Sequence, residues 1–222
     1  RRAFGHRLGD LALMQNVLAD LALESEAATI LAMRLARACD QAEENLHEKM
    51  IKRLGTAIGK YWVTKRGPAH VAEALECLGG NGYVEESVMP RLYREAPLNS
   101  IWEGSGNVNA LDVLRALGKE PQMQSCFFEE LARASQADSR LDAAIESLQR
   151  QLADMDMQEW RARSLVEQMA LVLQGALLVQ HGHPAVADAF CATRLAGDWG
   201  RAFGTLPRGV DAMAVIERSR PT

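Results

Sequence analysis

Aromatic residues are scarce in this chain, only 5% of 222 residues, while Ala and Leu are abundant. That balance favours helices, because Ala and Leu have the best helix propensities. No segment alternates apolar and polar residues with period two, so the reading is all-α. No Cys-x-x-Cys pair occurs: Cys39, Cys77, Cys126 and Cys191 are far apart. That spacing predicts no metal site and no redox pair. It suggests small buried apolar residues in a reducing, cytoplasmic setting. No apolar run reaches the roughly 18–20 residues of a membrane span, and no signal peptide or internal repeat is visible. Basic residues are not in excess, with a net charge of −4, so there is no strong overall field for polyanions. The first residue is Arg1 rather than Met, which reads as a piece of a longer chain.

An apolar fraction of 48% supports a real core. From Leu8 to Cys39 there is no proline and one glycine, and Leu11, Leu18, Leu21, Ala28, Leu31 and Leu35 recur at helical spacing. The polar stretch from Asp40 to Lys49 reads as a turn. Ile51, Leu54, Ile58, Tyr61, Trp62, Val71, Leu75 and Leu78 then mark a second long helix, bent at Pro68 and stopped by Gly79-Gly80. Two such helices pack as an antiparallel pair. Shorter segments over residues 86–95 and 107–117 help to close the bundle. Gly118-Lys119-Glu120-Pro121 is a break, and helical patterns follow over 125–134, 139–153, 159–180 and 185–195. The expected organisation is a helical bundle over residues 1–118 and a further helical subdomain over 119–222.

The segment most suggestive of chemistry is Ile101-Trp102-Glu103-Gly104-Ser105-Gly106-Asn107. A carboxylate flanked by Ile101 and Trp102 would be partly desolvated, which favours a base working near neutral pH. The alternative is that Glu103 caps the next helix. His181 and His183, two apart beside Pro184, read as a loop pair. Arg91 and Arg94 could bind phosphate or pair with Glu85, Glu86 or Glu95. Trp62, Trp160 and Trp199 read as core or interface residues. Residues 119–222 hold 11 Lys+Arg against 14 Asp+Glu, although Arg194, Arg201, Arg208, Arg218 and Arg220 come late in the chain.

Four motifs in order resemble the C-terminal helical domain of the acyl-CoA dehydrogenases, flavoproteins that oxidise acyl thioesters between the α and β carbons. They are Arg1-x-x-Phe4-Gly5, Leu78-Gly79-Gly80-Asn81-Gly82-Tyr83, Arg94-Glu95 and Ile101-Trp102-Glu103-Gly104-Ser105. Trp102, the run from Glu103 to Asn107, and Leu111-Asp112-Val113-Leu114-Arg115 are similar to the AidB branch of that family, tied to the adaptive response to DNA alkylation. That branch also carries a helical extension after the bundle.

The resemblance implies FAD as cofactor, an acyl-CoA or related thioester as substrate, and a homotetramer built as a dimer of dimers. Glu103 would be the catalytic base and Trp102 would line the substrate site. Arg1, Phe4, Gly79, Gly80, Ser105 and Asn107 would contact FAD, with Arg1 and Phe4 reaching the cofactor of a neighbouring subunit. Double-stranded DNA is the alternative partner, with Arg115 as a possible contact, and a purely structural oligomerisation module is a third reading. Glu76 stands where the family often has Gln, and Ala3 where a hydroxyl is common. The family's preceding domains, which supply much of the acyl-CoA and flavin site, lie outside this sequence.

Overall fold

The computed structural model describes residues 1–220. Among them, ten α-helices carry nearly all the regular structure. A two-residue hairpin opens the chain: β1 (Arg2–Ala3) pairs antiparallel with β2 (His6–Arg7). Phe4 and Gly5, both at positive φ (53° and 81°), form its turn. Strands this short leave no period-two pattern, which is why the sequence does not announce them.

The long pair forms as expected, with a tighter turn. α1 (Ala12–Gln41) and α2 (Leu46–Cys77) are separated only by residues 42–45. The polar stretch up to Lys49 is therefore mostly helix. Asn45 is the reason: its side chain accepts the Glu48 backbone N–H at 3.2 Å, capping α2 from its first turn. α1 buries Ala19, Leu23, Ala27, Leu31 and Ala38, a stripe rotated slightly from the leucine run. α2 buries Ile51, Leu54, Ile58, Tyr61 and Trp62, whereas its C-terminal half stays half-exposed. Pro68 sits inside α2 without ending it.

Four shorter helices come next: α3 (Gly80–Tyr83), α4 (Met89–Glu95), α5 (Gly106–Lys119) and α6 (Gln122–Ala132). A 3-10 turn, Ala96–Ser100, joins α4 to the segment before α5. The chain continues through α7 (Ser139–Ala153), α8 (Gln158–His181), α9 (Pro184–Phe190), a π-helical segment Cys191–Leu195 and α10 (Ala212–Ser219). Asp138 caps α7 by accepting from Arg140 N, and His183 Nδ1 caps α9 by accepting from Ala185 N.

α8 is long and apolar enough by composition to cross a membrane, yet two-thirds of its most apolar stretch is buried inside the protein. It packs against α1, α2, α5 and α7. One hydrophobic cluster runs through Leu54, Ile58, Val113, Phe127, Leu141, Leu165 and Leu173, drawing on both sides of residue 119. Each such side chain contributes about 1.5–3 kcal/mol by burial.

The cysteines are less uniform than expected. Cys191 is fully buried, Cys77 and Cys126 are half-buried, and Cys39 is exposed on the last turn of α1. Burial pushes the Cys191 thiol up to about 12. Native alkylation with iodoacetamide, followed by peptide mass spectrometry, should modify Cys39 first and Cys191 last, because the thiolate is the nucleophile.

Candidate active site

The residues singled out in the sequence fall into two groups on α2. The first lies at its C-terminal end. Leu78 N and Gly79 N donate to Leu75 O and Glu76 O, closing the helix. Gly79 then takes φ +60°, ψ −144°, a conformation reserved in practice for glycine. Arg1 Nη1 donates to Leu78 O at 3.2 Å, and a Cβ on Gly79 would lie 2.5 Å from that same nitrogen. Arg1 and Gly79 are thus in direct contact. A Cβ on Gly82 would overlap the Leu75 carbonyl oxygen, so α3 folds back on α2 only with glycine there. Gly79→Ala and Gly82→Ala should each lower stability by about 1–3 kcal/mol in urea unfolding. Phe4, at the hairpin tip, is 90% exposed.

The second group is the turn before α5. Lys60 Nζ, midway along α2, donates to Asn99 O at 2.8 Å and Trp102 O at 2.6 Å, pinning the turn from below. Asn109 Nδ2 donates to Gly104 O at 2.6 Å and Ser105 O at 3.1 Å, holding it from above. Between them Glu103 sits at φ +53° and Gly104 at φ +103°. A left-handed glutamate costs backbone energy that the clamped turn must hold.

Its surroundings differ from the expected apolar pocket. Glu103 is exposed, Ile101 is 63% and Trp102 56% exposed, and the carboxylate has no ion pair among the described residues. A tight turn spreads neighbouring side chains apart, so apolar sequence neighbours do not by themselves enclose Glu103. Nor does Glu103 cap α5. Ser105 holds the N-cap position, and its side chain makes no capping hydrogen bond.

The first turn of α5 therefore presents free backbone N–H groups and a free hydroxyl. Two cations lie beside it. A Cβ on Gly106 would sit 2.6 Å from Lys65 Cε, 3.2 Å from Lys65 Nζ and 3.6 Å from Arg163 Nη2. Arg163 comes from α8, where its Nε donates to the Tyr61 hydroxyl at 3.3 Å. Asn107, Leu111, Trp160 and Arg163 share an open groove of about 540 Å³ along α5. Trp160 is 83% exposed, so it is no part of this chain's core. The positive end of a helix flanked by a Lys and an Arg is a site for a polyanion. Sequence reading missed Lys65 and Arg163, because helices far apart in the chain bring them to Gly106.

Between Lys65, the nearest α2 residue of the second group, and Leu78 lie roughly three and a half turns, about 20 Å at the helical rise. The Arg1–Gly79 group and the Glu103–Asn107 group are therefore distinct sites.

The arginines considered for nucleic acid are mostly engaged within the chain. Arg115 Nη1 is 3.6 Å from Asp112, which also takes two hydrogen bonds from Arg53. Arg194 is buried against Asp20 and Glu24, Arg218 faces Glu26 and Arg220 pairs with Glu217. Arg91 pairs with Glu95 and Arg94 with Glu85, both at the surface. A separate cavity of about 180 Å³ between α1, α2 and α8 is lined by Trp62, His70 and Gln174. Trp62 Nε1, His70 Nδ1 and Gln174 Oε1 are buried there without partners among the described residues, and burial holds His70 below its ordinary pKa. The void is polar enough for ordered water.

Residues 1–118 match the family described as "Acyl-CoA dehydrogenase, C-terminal domain". The chain is 42% identical over 88% of its length to "Putative acyl-CoA dehydrogenase AidB" of Escherichia coli (strain K12), covering 36% of that protein. It is 30% identical over 82% of its length to "Acyl-CoA dehydrogenase family member 11" of Caenorhabditis elegans, covering 33% of it. The chain thus spans about a third of the length of these curated relatives. It also superposes on a crystal structure of Caenorhabditis elegans ACDH-11 in complex with C11-CoA. That match has a TM-score of 0.77 and 28% identity, and it covers 86% of this chain and 37% of that one.

Proposed function

The chain belongs to the acyl-CoA dehydrogenase family, whose C-terminal helical domain it carries, and on that premise we propose that the protein oxidises an acyl thioester with FAD. Members of this family are FAD-dependent flavoproteins. FAD, when bound, supplies the hydride acceptor; the protein binds, orients and moves the proton.

The observation that carries the reading is the pinned turn between Lys60 and Asn109. It holds Glu103 in a left-handed conformation, directly before a helix N-terminus flanked by Lys65 and Arg163. A carboxylate without an ion pair is free to take the α-proton of a thioester. Beside it, Trp102 offers an apolar wall for the acyl chain. Ser105, Asn107, Lys65, Arg163 and the first N–H groups of α5 fit the phosphates and ribityl hydroxyls of a flavin dinucleotide. Arg1, Phe4, Gly79 and Gly80 lie at the other site, where they would meet the cofactor of a neighbouring subunit.

A homotetramer fits the surface as well. Tyr83, Val88, Tyr93, Ile101 and Trp102 are all more than 45% exposed along α3, α4 and the turn. Exposed apolar side chains of this kind fit contact with other subunits or with a ligand. The remaining domains would also close the walls around Glu103 that this chain leaves open.

The competing reading is a DNA-binding protector that keeps FAD without turnover. Burial of Arg194 against Asp20 and Glu24 removes one late arginine from that role, while Arg201 and Arg208 stay exposed and open to a test of DNA binding. The test is turnover of the full-length protein on a panel of acyl-CoAs with an artificial electron acceptor. A product two hydrogens lighter by mass spectrometry supports the proposal. No product with any thioester, together with strongly salt-dependent DNA binding, would replace it with the protector.

A further inference from the structure

α2 and α6 face each other near the start of α2, and their facing turns carry an unusual set of donors. His47 and Met50 lie three residues apart on α2, and Cys126 and Glu129 three apart on α6. Cys126 Sγ is 3.3 Å from Met50 Sδ, and His47 Nδ1 is 3.4 Å from Glu129 Oε2. One ligand atom each from His47, Cys126 and Glu129 fall within 4.8 Å of one another.

A charge-assisted N–H···O bond is normally about 2.7–2.9 Å long, so 3.4 Å is long for an ion pair. Donors held about 2.0–2.3 Å from a tetrahedral zinc ion are themselves separated by roughly 3.3–3.8 Å. The His47–Glu129 distance already has that value. The Glu129 side chain, 67% exposed, has room to adjust toward the other two donors, which lie within 4.8 Å.

His47 also has a carboxylate on its second nitrogen, an arrangement that metal-binding histidines share. Its other nitrogen, Nε2, is 3.3 Å from Glu130 Oε2. Glu130 is itself fixed, with Oε1 taking Arg34 Nε at 2.5 Å and Oε2 taking Arg133 Nη1 at 2.8 Å. With the proton on Nε2, toward Glu130, the Nδ1 lone pair faces Glu129 and Cys126. One imidazole nitrogen, one thiolate and one carboxylate suit zinc. Sulfur excludes calcium and magnesium, and the carboxylate disfavours copper(I).

We propose that His47, Cys126 and Glu129 form a binding site for zinc or a cation of its class. The cation enters from the solvent side past Glu129, and its fourth position takes water, with the Met50 thioether lining the site. Binding forms a metal–sulfur bond and breaks the Cys126 S–H bond, the proton leaving to solvent. The ligands come from both sides of residue 118, so the ion staples α6 onto the bundle. No short motif in the sequence signals the site, because two i, i+3 pairs on different helices build it.

The test uses the full-length protein stripped of metal with a chelator, with variants checked for folding by circular dichroism. Zn²⁺ is titrated in competition with a chromophoric chelator, and Cd²⁺ is added separately to read a thiolate charge-transfer band in the ultraviolet. The expected result is one zinc equivalent per chain and a raised melting temperature. Cys126→Ser and His47→Gln should lose the equivalent, and Cys126→Ser the cadmium band as well. Glu130→Gln should weaken binding about 10- to 100-fold, while Met50→Leu should retain it. Absence of a zinc equivalent in the unmodified protein overturns the site and leaves His47 as an ion-pair partner of the two glutamates. Undiminished binding in Cys126→Ser overturns it equally.

Discussion

Glu103→Gln in the full-length protein is expected to slow reduction of the flavin by an acyl-CoA about 100- to 10,000-fold, while FAD stays bound. Glutamine has nearly the same shape and fits the same left-handed position, so the turn held by Lys60 and Asn109 keeps its geometry. The carboxylate makes no ion pair among the described residues, so removing its charge breaks nothing structural. Stability should stay within about 0.5 kcal/mol of the parent, as for an ordinary surface change. What disappears is the group proposed to accept the proton. Stopped-flow absorbance of the oxidised flavin checks this. An unchanged rate would move the base to another residue and reduce Glu103 to part of a shaped turn.

Arg194→Met is expected to cost about 3–5 kcal/mol of stability, the penalty for leaving a buried charge without its partner. Arg194 has a side chain only 2% exposed. It bonds Asp20 at 2.5 Å and Glu24 at 3.0 Å, with its guanidinium 4.0 Å from the Trp199 ring centre. Asp20 is wholly buried and would keep only the N–H groups of Trp199 and Gly204. The cluster ties α1 to the chain after the π-helical segment, so that tail should loosen first. Urea unfolding measures the loss, and adding Asp20→Asn should restore part of it by removing the stranded charge. The same cluster makes stability depend on acid. Burial alone would raise the Glu24 carboxyl, but the hydrogen bonds and charges of Arg66 and Arg194 outweigh it and hold it below its ordinary value. A lowered carboxyl stabilises fully above its unfolded pKa, about 4.3, and loses that contribution as pH falls through the folded value. Stability should therefore be level near neutrality and decline on acidification below that point.

The helices were legible because their apolar spacing is local. α7 begins and ends where its pattern does, and the Gly79-Gly80 stop is a local backbone requirement. The start of α2 differs from the sequence expectation because the polar stretch around Asn45 reads as loop, whereas Asn45 is a cap. Trp160 lies outside this chain's core because its end of α8 is exposed, which residue type alone does not reveal. The turn around Glu103 was legible as a motif, but its exposure was not, since walls come from contacts distant in sequence. Lys65 and Arg163 beside Gly106, and His47 beside Cys126, meet only because α2 packs against both α6 and α8. No window of neighbouring residues contains those pairs.

The most direct measurement of the central claim is anaerobic mixing of the oxidised full-length protein with acyl-CoAs of graded chain length, following bleaching of the flavin in a single turnover. The account expects at least one thioester to bleach the flavin, at a rate that falls when the α-hydrogens are replaced by deuterium. A flavin that remains oxidised with every thioester would contradict the assignment of Glu103 as a catalytic base and the dehydrogenase reading with it.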